Sequence, residues 1–355
     1  MNKKRRSNPS KLEIAIIGEW KFSIYEEAFA KGLEKQGVKV HKISLKEIVD
    51  KDLSKFEYLV PLKTKKILKI NNHILKRIEK TNPDIALFWR PTHILKSTII
   101  SINKMSVNTI SFNNDNPFNK NLFLPIQFKF KWLLYKSAIK ACNFNFFYRP
   151  ENIKIAIKKE ISNPNLLLPY FRPWNEKKIE LSDDDIKKYQ TDVVFIGHYE
   201  NDGRDTMILR LVEEGIRVKV WGDSSWRKAN NPKFKKLFNS IDKAVDEEYT
   251  KALNGAKICL NFFSKVNNDV LTRRCFEIPA CKRLLLSERS DFLSSIFIED
   301  KEAVYFSDMD QLLLKIKWLL SNDEKRETIT KNGYDKVFEN HNVYIRAKEF
   351  LNKIC

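Results

Sequence analysis

Two runs in the second half of the chain carry side chains that could hold a phosphorylated nucleoside. In the run from Leu271 to Cys281 (LTRRCFEIPAC), Glu277 falls within a short helical pattern. A carboxylate there can accept two hydrogen bonds from the vicinal hydroxyls of a ribose, as the acidic residue of dinucleotide folds does. Asp269 stands eight residues earlier, so the pair could hold nucleoside and sugar hydroxyls at separate points, with Arg273 and Arg274 neutralising phosphates between them. Taken in isolation, the stretch reads rather as an amphipathic helix with solvated charges. The second run, Val194 to Arg204 (VFIGHYENDGR), ends a strand at Gly197 and starts a helix near Arg204. Gly197 would let a diphosphate approach the backbone, and the helix N-terminus and the Arg204 guanidinium would both favour its charge. It is not the Gly-x-Gly-x-x-Gly fingerprint, and a turn explains it as well. His198 either contacts phosphate or fills that turn.

Elsewhere the chemistry is sparser. The run Val220 to Trp226 (VWGDSSW) walls a pocket or, on the better reading, turns the chain. Asp115 and Glu19, each following an apolar run of the first half, are the candidates for a catalytic base. The five histidines form no His-x-x-x-His pair, and no Ser-His-Asp or Cys-His system can be assembled from spacing. The single Asp-x-Asp, Asp308 and Asp310, precedes a helical pattern, so a capping role for Ser307 or Asp308 explains it without a metal. Diphosphate charge must then be offset by arginines and helix N-termini.

The elements that must position these residues alternate. Leu12 to Gly18 reads as a buried strand, Phe22 to Gln36 as a helix and Val38 to Ile43 as a second strand, a βαβ opening. Apolar runs recur at Tyr58 to Val60, Ile85 to Trp89, Thr109 to Phe112 and Phe144 to Tyr148. Two prolines and a charged stretch between Leu166 and Gln190 mark a linker, after which the alternation restarts at Asp192 and runs through Leu286. Three helical stretches close the chain: Gln311 to Leu320, Glu324 to Phe338 and Val343 to Ile354. Strands alternating with helices imply α/β architecture with mostly parallel sheets. In such sheets, ligands bind outside the carboxyl ends of the strands.

A chain of 355 residues favours two domains. Its net charge of +20 points to an anionic partner or simply to a solvated basic surface, with one dense cluster at Lys3, Lys4, Arg5 and Arg6. An odd number of cysteines with no Cys-x-x-Cys pair suggests neither zinc nor a disulfide framework. No apolar run approaches a membrane span or a signal-peptide core, which places the expectation in the cytoplasm.

The runs Phe195-Ile196-Gly197, Val220-Trp221-Gly222, Leu271 to Glu277 and Asn332-Gly333-Tyr334, with His341 and Arg346, resemble the C-terminal domain of the CgeB-like group of GT-B glycosyltransferases. The likeness spans about residues 190 to 350, and the Arg-x-Phe-Glu segment makes it specific. In the first half it is looser, resting on Phe112 to Pro117 and Leu168-Pro169-Tyr170. The resemblance implies a GT-B fold, two Rossmann-like domains facing each other across a cleft. It also implies a nucleotide-sugar donor in the C-terminal domain and an acceptor (cell-surface glycan, lipid-linked or protein) held mainly by the N-terminal one. Related retaining enzymes carry two glutamates eight positions apart; here Asp269, a shorter side chain, stands at the first and Glu277 at the second. The family's Cys-Gly-Gly is Cys281-Lys282-Arg283 here.

The expected domains are 1–172, a linker at 173–190, 191–340, and a C-terminal helix at 341–355 packing back on the first domain. The donor-binding residues are Gly197, His198, Arg204, Asp269, Arg273, Arg274 and Glu277. The only small-molecule partner expected is the donor nucleotide sugar, with no cofactor and no metal, and the basic surface would hold the enzyme near anionic membrane lipids. Two other readings stand beside this one. The first is a basic nucleic-acid-binding protein, although no helix-turn-helix, zinc-finger or RNP motif is present and nucleic acid is therefore not the expected partner. The second is a nucleotide-sugar epimerase on the same fold.

Overall fold

The computed structural model describes residues 12–119 and 130–354, so the basic cluster at Lys3 to Arg6 lies outside the described residues. The chain divides into two compact units, one holding the residues up to Leu168 together with those from Val343 onward, the other Pro169–Asn342.

In the first unit, strands β1 (Glu13–Gly18), β2 (Lys39–Ser44), β3 (Ile85–Trp89), β4 (Asn108–Asn113), β5 (Phe144–Phe147) and β6 (Pro164–Leu166) form one sheet in the order β2-β1-β3-β4-β5-β6. Every pairing is parallel. The runs Ile14–Ile17 and Ile85–Trp89 are buried along their length, as strands covered on both faces must be. Ile67, Ile70, Ile74 and Ile78 line the buried stripe of the helix Lys65–Thr81. The apolar run Tyr58 to Val60 is not a strand. Residues Lys55–Leu59 are a short helix because Ser54 and Glu57 form a capping box, which satisfies the first N–H groups and outweighs the β-prone side chains. The first helix also begins later than its pattern suggests, at Ala28, after a separate widened turn at Ser23–Glu27.

The closing helix Val343–Ile354 belongs to this first unit and packs against Ala28–Lys35. Phe350 on it meets Phe29 at 5.3 Å and Phe146 at 4.9 Å between ring centroids. Gln36 donates to the Tyr344 carbonyl, and Lys353 to the Leu166 carbonyl.

In the second unit, β7 (Thr191–Ile196), β8 (Val218–Trp221), β9 (Ala256–Asn261), β10 (Leu284–Glu288) and β11 (Val304–Phe306) form a second parallel sheet, in the order β11-β10-β9-β7-β8. The chain winds outward from β7 to β8 and then crosses to β9 on the other side of β7. The carboxyl ends of β7 and β9 therefore flank a switch point, where open parallel sheets accept ligands.

The segment expected as a linker packs with the second unit. Arg172 and Glu176 form a buried ion pair, and Asn254 takes the Ile179 N–H. Ser182 caps the helix Asp183–Tyr189, whose Tyr189 ring lies 5.3 Å from that of Trp221. The division falls after Leu168 instead, and Glu176, Asp246 and Asn254, which meet these polar groups, all belong to the second unit.

Candidate functional site

Thr272 sets the position of the helix Arg274–Ala280. Its hydroxyl donates to Asn261 Oδ1 at 2.9 Å, and Asn261 Nδ2 donates to Ser287 Oγ at 2.9 Å, a fully buried chain joining the helix start to β9 and β10. This anchoring brings Arg274 across the end of β7, where its Nε donates to the Ile196 carbonyl at 2.6 Å. Gly197 makes room for it: a Cβ there would sit 2.8 Å from Arg274 Nη2 and 2.8 Å from the Phe195 ring. The glycine expected to admit a diphosphate thus admits an arginine first. The Arg274 Nη groups make no hydrogen bond or ion pair among the described residues, so they can donate to an anion at this strand end.

Glu277 is only 1% exposed. Its Oε2 accepts from the Tyr249 hydroxyl at 2.7 Å, and Arg273 Nε lies 2.5 Å from its Oε1. Burial raises the carboxyl's affinity for a proton against the opposing charge of Arg273, and the nearby Glu176 pushes it the same way. Each carboxylate oxygen has two lone pairs, so both retain capacity for a further donor.

The loop after β7 is organised differently from the expectation. Arg204 is buried and turned inward: Nε and Nη2 donate to Asp202 at 2.8 and 2.6 Å, and Nη1 to the His198 carbonyl at 2.7 Å. A further bond goes from Nη2 to the Phe263 carbonyl at 3.2 Å. A buried guanidinium must satisfy its donors, and here the protein satisfies them, so Arg204 shapes the loop and does not reach out to a diphosphate. His198 stands at the surface, with 49% of its side chain exposed, and pairs with Glu200 at 2.9 Å. Glu200 Oε2 also accepts the N–H groups of Lys265 and Val266, tying this loop to the one that follows β9. Asp269, half-buried in that second loop, donates its N–H to the Ser264 carbonyl. The structure therefore joins Gly197 to Arg274, Arg273 to Glu277, and the His198 loop to the segment leading to Asp269.

Burial alone would raise the Glu200 carboxyl, but hydrogen bonds from His198, Ser264 and Val266 and the charge of Arg204 hold it at about 2. The folded value lies below the ordinary 4.5, so the stabilisation is complete above that pH and is lost as the pH falls toward 2. Glu200→Gln is expected to flatten the fall of the urea midpoint across this acid range. An unchanged slope would remove Glu200 from the acid response.

Beyond β8, Asp223 caps the turn Ser224–Lys228, and Trp226 Nε1 donates to the Gly197 carbonyl at 2.8 Å. The turn reading of this run is the one seen, and the turn also borders a surface hollow of about 540 Å³ beside Gly222, Arg227 and Lys243. Asp308 caps the helix Met309–Ser321 by accepting the Gln311 N–H at 2.8 Å. Among the described residues, no group of three His, Cys, Asp or Glu side chains could hold a metal ion.

The first unit gathers a second cluster at the carboxyl end of its sheet. Asp115 accepts from Arg90 Nη2 at 2.9 Å and from Lys131 Nζ at 3.4 Å. Burial would raise its carboxyl, yet the charges of Arg90, Lys131 and Arg149 hold it below the usual range. A carboxylate paired with cations in this way favours its charged form. Glu19 accepts from the Tyr58 hydroxyl at 2.8 Å. Sequence reasoning missed Glu26, which is 4% exposed, takes the Trp20 N–H on its Oε1 and has its carboxyl raised by burial. The sequence signal for it was a glutamate inside an expected helix, which reads as surface charge. Arg90 was missed too, although it directly follows β3 and the strand-end rule would have found it.

The fold is that of the GT-B glycosyltransferases: two parallel sheets, each wrapped by helices. Residues 204–352 match the family described as glycosyl transferase-like, a segment that includes Asp269, Arg273, Arg274 and Glu277. No curated protein sequence matches the chain. A glycosyltransferase from Rickettsia africae superposes with a TM-score of 0.66 at 13% identity, over 96% of this chain and 97% of that one. The Anabaena protein HepE in complex with UDP and glucose gives 0.65 at 9% identity, over 97% and 99%. A putative UDP-N-acetylglucosamine 2-epimerase from Listeria monocytogenes gives 0.60 at 12% identity, over 97% and 96%.

Proposed function

We propose that this protein is a metal-independent glycosyltransferase of the CgeB-like group, which moves a sugar from a nucleotide diphosphate sugar to an acceptor held by its first unit. The observation that carries the reading is Arg274, fixed by Nε to the end of β7 with its remaining donors uncommitted among the described residues. Arg273 and Arg274 would offset the diphosphate charge, Glu277 would accept from the ribose, and Asp269 would meet the transferred sugar. That the Anabaena neighbour was solved with UDP and glucose supports a donor of this class. Thermal-shift measurements across uridine, guanosine, cytidine and thymidine diphosphate sugars, with EDTA present, test it. At a hundredfold excess over Kd, the matching donor should stabilise by about 2.7 kcal/mol, or roughly 5–10 °C. Failure of every donor to shift the transition would overturn the reading.

The Listeria neighbour supports one competing reading, isomerisation of the nucleotide sugar itself. Product analysis without any acceptor separates the two, because an epimerase converts its substrate alone.

We also propose that the protein works at an anionic membrane surface in the cytoplasm. Among the described residues no helix is long and apolar enough to cross a membrane, so contact would be peripheral. Exposed Phe56, Leu62 and Leu68 stand among Lys63, Lys65, Lys66 and Lys69, an arrangement suited to acidic headgroups. Co-sedimentation with phosphatidylglycerol vesicles is expected at low salt, and loss of it in the Lys65→Glu, Lys66→Glu, Lys69→Glu triple variant. Equal retention of that variant would refute the surface.

A further inference from the structure

The helix Glu247–Asn254 is fixed along one stripe. Asp246, just ahead of it, Thr250 and Asn254 stand four residues apart, so they share a face, and that face meets the segment 172–179. Arg172 Nη1 donates to Asp246 Oδ1 at 3.1 Å, the Thr250 hydroxyl to the Asn175 carbonyl at 3.1 Å, and Asn254 Nδ2 to the Lys177 carbonyl at 3.0 Å. Tyr249 stands beside this stripe, and its hydroxyl donates to Glu277 Oε2 at 2.7 Å. Burial and the charge of Glu277 raise the phenol well above its usual range, so it remains a donor at every pH where a carboxylate titrates.

Glu277 thus has one oxygen on Tyr249 and the other beside Arg273. The terminal torsion of a glutamate is broad, so a neighbour at one oxygen does not fix the carboxylate plane, whereas partners at both do. Burial opposes the charged form of Glu277, and the bond from Tyr249 favours it. Only the charged form accepts on both oxygens with no proton in the way. A phenylalanine at position 249 would fill the same space and supply neither effect.

We propose that Tyr249 is a positioning residue for nucleotide binding: its hydroxyl fixes the Glu277 carboxylate so that both oxygens stay able to accept from the hydroxyls of one ribose. The role rests on the reading of Glu277 as the ribose acceptor. Titration calorimetry on the full chain, with UDP, GDP and CDP each beside its 2′-deoxy form, is the experiment, and a melting temperature for each variant keeps lost folding apart from lost affinity. The ribonucleotide that binds should bind roughly tenfold more weakly to Tyr249→Phe, in the range for one lost hydrogen bond to a charged group. Its 2′-deoxy form, with one hydroxyl fewer for Glu277, should lose distinctly less, so the preference for ribose narrows. Glu277 accepts as an anion, and Tyr249→Phe removes a bond that favours the anion. The pH below which ribonucleotide affinity falls should therefore move up by about one unit in the variant. Added to Glu277→Ala, Tyr249→Phe should cost nothing further, because the two act as one unit. Unchanged affinity, equal losses for ribose and deoxyribose, an unmoved pH profile or a second loss in the Glu277→Ala background would each overturn the role and leave the donor reading standing. Binding of none of these nucleotides to the wild type would overturn both.

Discussion

Glu176→Ala is expected to lower the melting temperature of the Pro169–Asn342 unit by roughly 10 °C, since breaking a buried ion pair costs about 3–5 kcal/mol. Arg172 and Glu176 are both buried, and the carboxylate takes the Arg172 Nη2, Nε and backbone N–H at 2.6, 3.1 and 2.6 Å. Asn175 Nδ2 adds a further bond at 2.9 Å. Truncating the glutamate leaves a guanidinium out of water without its closest counter-charge, while Asp246 at 3.1 Å meets part of that charge. Replacing both partners by apolar residues, Arg172→Met with Glu176→Leu, should recover much of the loss, because the penalty comes from the orphaned charge. Calorimetry of the single and double variants decides this. A shift in the single variant of only a degree or two would mean that solvent reaches the pair. The same substitution removes a negative charge that raises the Glu277 carboxyl, so Glu277 should hold its proton less tightly in the variant.

Arg274→Ala is expected to weaken UDP binding by about 10- to 100-fold, the range for losing charge-assisted hydrogen bonds to a phosphate. Arg274→Lys should not restore it. The bond from Nε to the Ile196 carbonyl at 2.6 Å places the guanidinium, and an ammonium cannot hold that carbonyl and an anion in the same fork geometry. Titration calorimetry with UDP, read beside the melting temperature of each variant, separates lost affinity from lost folding. Wild-type affinity in a folded Arg274→Ala protein would take the donor phosphate away from the end of β7.

Much of the scaffold was legible in residue order. Buried runs such as Ile85–Trp89 and Val193–Ile196 are apolar on both faces, and only a covered parallel strand makes use of that. Tyr58 to Val60 misled because three apolar residues carry no period of their own, and the capping pair Ser54 and Glu57 settled the local structure. The expected linker misled for another reason. Prolines and charges do mark exposed turns, but Arg172 and Glu176 find each other four residues apart and are buried against the second unit, which no linear signal announces.

The candidate sites divide along the same line. Residue type and position after a strand single out Gly197, Arg274, Glu277, Glu19 and Asp115, because side-chain chemistry and the alternation of strands and helices are local properties of the chain. Which of these groups can still reach a ligand is decided by their partners. Arg204 and Arg274 are the same residue type at neighbouring strand ends, yet Asp202 and two backbone carbonyls occupy one, while a single carbonyl anchors the other. Asp115 and Glu26 differ in the same way: the charges of Arg90, Lys131 and Arg149 favour the anion on the first, and burial favours the proton on the second. A side chain's charge and hydrogen-bonding capacity are set by its identity, whereas its desolvation and the neighbours that consume that capacity exist only once distant segments have packed around it.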